Sequence, residues 1–296
     1  MGGLIILVSL GSCEKDEIES LDPAAAGSAT IKGVDNFNNG MINSYSSEVV
    51  LQWNELLSRS IDNRMPQPAE VKIYAMVTLA IHDALNNVVP KYKTYALSNL
   101  DVDVSGITKK NIHAVADAAV SQAARDMIVS LFPQATSAAD ALLDTILSGT
   151  EDEAMEARGA DIGSRAAAAV LAKRAADFPI TFASSTLGTA PGEYKANYEP
   201  WVSRFPMLQN PVFAPNLGSL TPFGIESGDQ FRNEAPYPLN SAEYIADYNE
   251  VKALGCTDCP LRTAEQTQIG AFWVENTSSS MNRLARALIV QRKLDG

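Results

Sequence analysis

The sequence predicts an all-α protein, a bundle of about eight helices with one long proline-rich irregular segment. Three observations carry that prediction. Apolar residues recur at helical spacing from Ser46 to Asp177 and again from Ser241 onward. Strand-like alternation is weak throughout, and no repeat period suggests a solenoid. The composition, 46% hydrophobic and 20% charged over 296 residues, is that of a globular chain long enough to bury a large core without disulfide staples.

At the start, Leu4 to Leu10 form a short apolar run, followed by Gly11, Ser12 and Cys13 and then abruptly by Glu14, Lys15 and Asp16. This is the layout of an export signal, although no Lys or Arg precedes the run. Leu10-Gly11-Ser12-Cys13 resembles a bacterial lipobox. The resemblance implies that residues 1–13 are a lipoprotein signal peptide, that Cys13 receives the lipid, and that the protein is anchored in the cell envelope by that lipid alone. Residues 14–44 mix Pro, Gly, Ser, Asn and Asp without a period and read as a flexible tether.

The folded part spans residues 45–296. Val49, Val50, Trp53, Leu56 and Leu57 line one face of a first helix ending near Ile61. After Pro66 and Pro68, Glu70 to Val88 carries apolar residues all round, which predicts a central, buried helix. A third, Ala-rich helix runs from about Lys109 to Phe132 and is stopped by Pro133; Ser137 to Leu147 is a fourth. Glu151 to Asp177 is a fifth, with acidic residues in its first turn as the helix dipole favours and with Ala166 to Ala169 allowing a neighbour to approach closely. Residues 178–240 are rich in Pro, Gly and Phe and have no helical period, so they are expected to wrap over the core or serve function. Helices return at Ser241 to Leu254, Thr263 to Asn276 and Ser279 to Leu294. Ser241 and Thr263 are the expected N-caps, and Thr263 with Gln266 has the capping-box spacing.

Composition excludes several classes. The net charge of −12 and the lack of a Lys/Arg cluster oppose a nucleic-acid partner. No apolar run approaches the roughly 20 residues of a membrane-spanning helix. His82 and His113 are the only histidines, which excludes a His-rich zinc site within the chain. His82 precedes Asp83 on a helix, but adjacent side chains diverge by about 100° and cannot share a ligand. His82 reads as a hydrogen-bonded structural histidine and His113 as a solvated one. Cys256 and Cys259 form a single C-x-x-C with no second pair for zinc, so an exported protein is expected to close them into a local disulfide. There is no G-x-S-x-G and no Gly-rich phosphate loop. No catalytic residue is visible.

Two stretches carry a resemblance. Trp53-Asn54-Glu55-Leu56-Leu57, Arg64-Met65-Pro66 and Ala75-Met76-Val77-Thr78-Leu79-Ala80-Ile81-His82-Asp83-Ala84-Leu85-Asn86 form the first. The second runs through Pro222, Phe223, Ser227, Gln230, Phe231, Arg232, Tyr244, Asp247, Asn249, Lys252, Gly255, Arg262, Gln266, Phe272 and Trp273. In order and spacing they resemble the N-terminal helical half of bacterial vanadium-dependent haloperoxidase-like proteins of the type 2 phosphatidic acid phosphatase superfamily, over about residues 46–294. The resemblance implies a helical fold whose bound vanadate activates peroxide to oxidise halide, or a related acid phosphatase acting on phosphoesters through a histidine. Lys, Arg and backbone N–H groups would hold the oxyanion in such a site. The family's cage motifs are a Lys followed by Arg-Pro, a Pro-Ser-Gly-His, and a Ser-Arg followed by a coordinating His. None occurs here: the Ser-Arg pairs at Ser58, Ser164 and Ser203 lead to no histidine.

The expectation is therefore a chain incomplete relative to the family, stopping after Met281-Asn282-Arg283-Leu284 before the catalytic half. It would be inactive alone and have that half as its partner, with the residues that bind vanadate outside it. Phe223, Phe231 and Arg232 are candidates for walling the entrance of the site. A different class, a tethered glycan-binding lipoprotein, would use Tyr194, Tyr198, Trp201 and Phe205 as stacking platforms.

Overall fold

The computed structural model describes residues 44–61, 65–98, 101–149, 152–186, 188–193, 206–274 and 276–296. Cys13, the signal run and all of the tether but Ser44 lie outside the described residues. Among those described, eight α-helices carry the fold: α1 (Glu48–Ser60), α2 (Gln67–Val88), α3 (Ile112–Leu131), α4 (Thr136–Leu147), α5 (Glu153–Arg174), α6 (Ala242–Leu254), α7 (Ala264–Trp273) and α8 (Thr277–Arg292). The class is all-α, and the helices fall where the periodicity puts them. The termini differ for local reasons. Pro68 does not break α2 but sits in its first turn, where no N–H is needed and a fixed φ is favourable. Asp152 caps α5 by accepting the N–H of Met155, and Asn276 does not end α7 but caps α8, its Oδ1 accepting from Ser278 and Ser279. Ser241 caps α6, and Thr263 with Gln266 forms a complete capping box on α7.

The centre of the bundle is α3 rather than α2. Ile112, Val115, Ala116, Ala119, Val120, Ala123, Ala124, Met127 and Ile128 are all fully buried, whereas Val71 on α2 is 55% exposed. The reason is size: the alanines of α3 let α1, α2, α4 and α5 all pack against it. Trp53 of α1 lies buried on α3, its Nε1 donating to Ser121 Oγ at 3.0 Å. The tightest seam is α3 against α5. An ideal Cβ at Gly159 would lie 2.5 Å from the Val115 carbonyl oxygen, and one at Gly163 2.4 Å from that of Ala119. The close approach expected from Ala166 to Ala169 thus begins one to two turns earlier, at two glycines.

The proline-rich segment carries a minimal hairpin, β1 (Phe182–Ala183) antiparallel to β2 (Val212–Phe213), with Phe182 opposite Phe213 and their rings edge-to-face at 5.3 Å. Helices α6, α7 and α8 contain no buried residue. α8 is held to α1 and α2 by polar contacts: Asn54 and Asn282 exchange amide bonds at 3.2 and 2.8 Å, Arg286 donates to Ser58 Oγ at 3.0 Å, and Asn276 donates to Glu70 Oε1 at 2.6 Å. No helix among the described residues is long and apolar enough to cross a membrane.

Candidate functional site

A set of buried and half-buried charges lies where the C-terminal end of α5 meets the loop after α2 and the proline-rich segment. Arg174, in the last turn of α5, is buried, and its guanidinium is used on three sides. Nε donates to Asp177 Oδ2 at 2.8 Å, Nη2 to the Thr221 carbonyl at 2.8 Å, and Nη1 to the Tyr95 hydroxyl at 3.3 Å. Its flat face lies 3.9 Å from the centre of the Phe223 ring, and Phe223 stacks in turn on Tyr95 at 6.1 Å. Lys72 of α2 bridges to the same Asp177 oxygen at 2.8 Å. Lys173 donates to the Tyr95 carbonyl at 2.7 Å and stands 4.3 Å over that ring. Burying a guanidinium is tolerable only when its donors are paired and its face is packed, and both conditions hold here.

The loop that supplies Tyr95 is gripped from below by the adjacent residues His82 and Asp83. Asp83, fully buried, accepts the backbone N–H groups of Tyr95, Ala96 and Leu97 at 2.6, 2.6 and 2.8 Å. His82 is half-buried; its Nε2 lies 3.1 Å from the Lys93 carbonyl and its Nδ1 3.2 Å from Asn86 Nδ2. The tautomer protonated at Nε2 satisfies both bonds. The two side chains diverge on the helix, yet both close on residues 93–97. His82 is a structural histidine, and His113 is exposed.

Elsewhere, Tyr45 donates to Asp117 Oδ1 at 2.7 Å. Burial, and next the charge of Asp117, push the Tyr45 phenol well above its ordinary range. Burial also raises the Asp117 carboxyl, against the opposing effect of the Tyr45 hydrogen bond. Cys256 and Cys259 are joined as a disulfide with Cα atoms 5.3 Å apart. Arg262 braces that loop by donating to the carbonyls of Leu254, Cys256 and Thr257.

Of the three residues expected to wall a site entrance, the structure packs Phe223 into the Arg174 cluster and leaves Phe231, 75% exposed, and Arg232 at the surface. Tyr194, Tyr198, Trp201 and Phe205 lie outside the described residues. Arg174, Asp177 and Tyr95 went unseen as site residues in the sequence, and Asp83 was read there only as the neighbour of His82. The available signals were an Arg and an Asp three apart at a helix end, and an acid within an apolar helical stretch.

An oxyanion needs cations with free donors converging on one centre. The Arg174 guanidinium has its three edges occupied, that of Arg262 is committed to carbonyls, and that of Arg125 to Asp126 and Asp140. These clusters do not fit vanadate. They are anchors that fix loops to the bundle. Among the described residues no group of three or more His, Cys, Asp or Glu could hold a metal ion. No protein-family model, curated protein or solved structure matches the chain.

Proposed function

We propose that this chain is the helical scaffold of a lipid-anchored, envelope-located vanadium-dependent haloperoxidase-like protein, and that residues outside it supply the oxyanion cage. The observation that carries the reading is the ordered set of motif residues from Trp53 to Trp273, many of which hold definite structural positions. Trp53 is buried on α3, Asp83 and Asn86 bind the loop after α2, Phe223 packs on Arg174, and Arg262 braces the disulfide loop. The exposed apolar side chains of α7 and α8 support it further: Ile269, Phe272, Trp273, Met281, Leu284 and Leu288 are between 39% and 70% exposed. Exposed apolar side chains in this number suit coverage by further helices.

On this reading peroxide and halide, or a phosphoester, are substrates of the complete assembly, and this chain contributes position rather than chemistry. The experiment is to supply vanadate, hydrogen peroxide and bromide, or a phosphomonoester, to the 296-residue chain and to a version extended through the reading frame beyond Gly296. The short chain is expected to show no turnover and the extended one to show it. Turnover by the short chain that His82→Ala abolishes would overturn the proposal.

A further inference from the structure

We propose that the groove between α6 and the extended segment preceding it binds a small organic cation of the alkylammonium class. The groove is open to solvent and has a volume of about 790 Å³, and its walls include Glu234 and Tyr237 on the extended side and Tyr244, Asp247, Tyr248 and Val251 on the helix. The helical residues fall at i, i+3, i+4 and i+7, so a single face of α6 presents them all. Tyr244 and Tyr248 stand nearly parallel, their ring centres 6.5 Å apart and their planes at 22° to one another. Tyr237 and Tyr248 are 54% and 58% exposed, so their rings are available to a ligand.

The chemistry of the lining selects the ligand's charge. Two carboxylates and three aromatic rings face the space, and the lining contains no Lys, Arg or His. An aromatic face attracts a cation through its quadrupole within about 6 Å, and a nearby carboxylate reinforces that attraction. An anion would meet repulsion from both. A methylated ammonium is preferred to a bare one because its weakly hydrated methyl groups lie against the rings at little desolvation cost. A carbohydrate could stack on the same rings, but it would leave the two carboxylates without a charge to answer them. Tyr244 and Asp247 also belong to the motif set behind the scaffold reading, but the inference rests on the chemistry of the groove alone and requires neither the cage nor the exposed faces of α7 and α8.

The test is titration of the whole chain with choline, read by calorimetry and ligand-observed NMR. Beside it go the neutral isostere 3,3-dimethylbutanol and a gluco-oligosaccharide. Choline is expected to bind, more weakly as salt is raised, with the alcohol and the sugar binding at least about fivefold less tightly. Tyr248→Ala and Asp247→Asn should each weaken choline by about fivefold. Both positions are exposed, so unchanged helical circular dichroism is the check that each variant is folded. Equal binding of choline and its neutral isostere would overturn the charge selection, and sugar binding without choline binding would assign the groove to a glycan. No saturable choline binding, or binding unmoved by both substitutions, would also overturn the proposal.

Discussion

Gly163→Ala adds one methyl group at the narrowest point of the α3–α5 seam. The new Cβ would lie 2.4 Å from the Ala119 carbonyl oxygen, 2.8 Å from the Ala123 nitrogen and 2.8 Å from Gln122 Cβ, where real Cβ atoms essentially never come within 3.0 Å. Two of those three neighbours are backbone atoms of α3, so no rotamer change relieves the clash and the helices must separate by about 0.6 Å or more. A gap of that size forfeits a quarter or more of the dispersion between the facing side chains, among them Ile162, Ala166 and Val170. Overpacking of this kind costs about 1–3 kcal/mol, and the rigidity of the neighbours argues for the upper end. Alanine returns about 1 kcal/mol through its greater helix propensity, leaving a net loss of about 2 kcal/mol. For a chain of this size that lowers Tm by about 3 °C. Thermal and urea unfolding, followed by far-ultraviolet circular dichroism, measure it. Gly270→Ala in α7 is the matched control, because nothing lies within 4 Å of its Cβ position; there the propensity gain stands alone. If Gly163→Ala were as stable as the unmodified protein, the close-packed seam would be refuted.

Asp83→Ala should remove the shared acceptor of three N–H groups and cost about 3–5 kcal/mol. Hydrogen exchange at Tyr95, Ala96 and Leu97 is the direct readout, and protection as strong as before would exclude the role assigned to the carboxylate. The pH dependence follows from Asp117, whose folded-state carboxyl lies above its ordinary value of 3.8 because of burial. A raised folded value means that the native state holds the proton more tightly, so this contribution to stability is full below 3.8 and is lost as pH rises through the raised value. Asp117→Asn keeps an acceptor for Tyr45 and cannot ionise, so urea midpoints of the variant should fall less over that window than those of the unmodified protein. Parallel profiles would contradict the assignment.

The helices were legible because their signals are local. Apolar spacing, the acidic first turn of α5, and Ser241 and Thr263 with their following residues are all contained within a few positions of the chain, and those elements formed where they were read. The C-x-x-C is equally local: three residues of separation bring the two sulfurs within reach wherever the chain turns, and here the Cα atoms lie 5.3 Å apart and the structure joins them. The site was much less legible. Phe223 was singled out for a site entrance, but its position is set by Arg174, which no spacing rule links to it. Phe231 and Arg232, neighbours of Phe223 in the motif, end at the surface.

What the sequence determined by itself is therefore the class, the helices and most of their caps, since each depends on contacts between residues one to four apart. Which helix became the centre was decided by tertiary structure. Periodicity marks α2 as apolar all round, but the small side chains of α3 let its neighbours pack closely on it from several sides, so its apolar residues are fully buried while Val71 of α2 stays exposed. The same holds for the buried charge. Arg174 meets Tyr95 across 79 residues and the Thr221 carbonyl across 47, and a guanidinium can be buried only once those distant partners arrive together. By helix propensity alone Gly159 and Gly163 would be weak points of α5. Packing against the α3 backbone makes them the positions where no side chain fits.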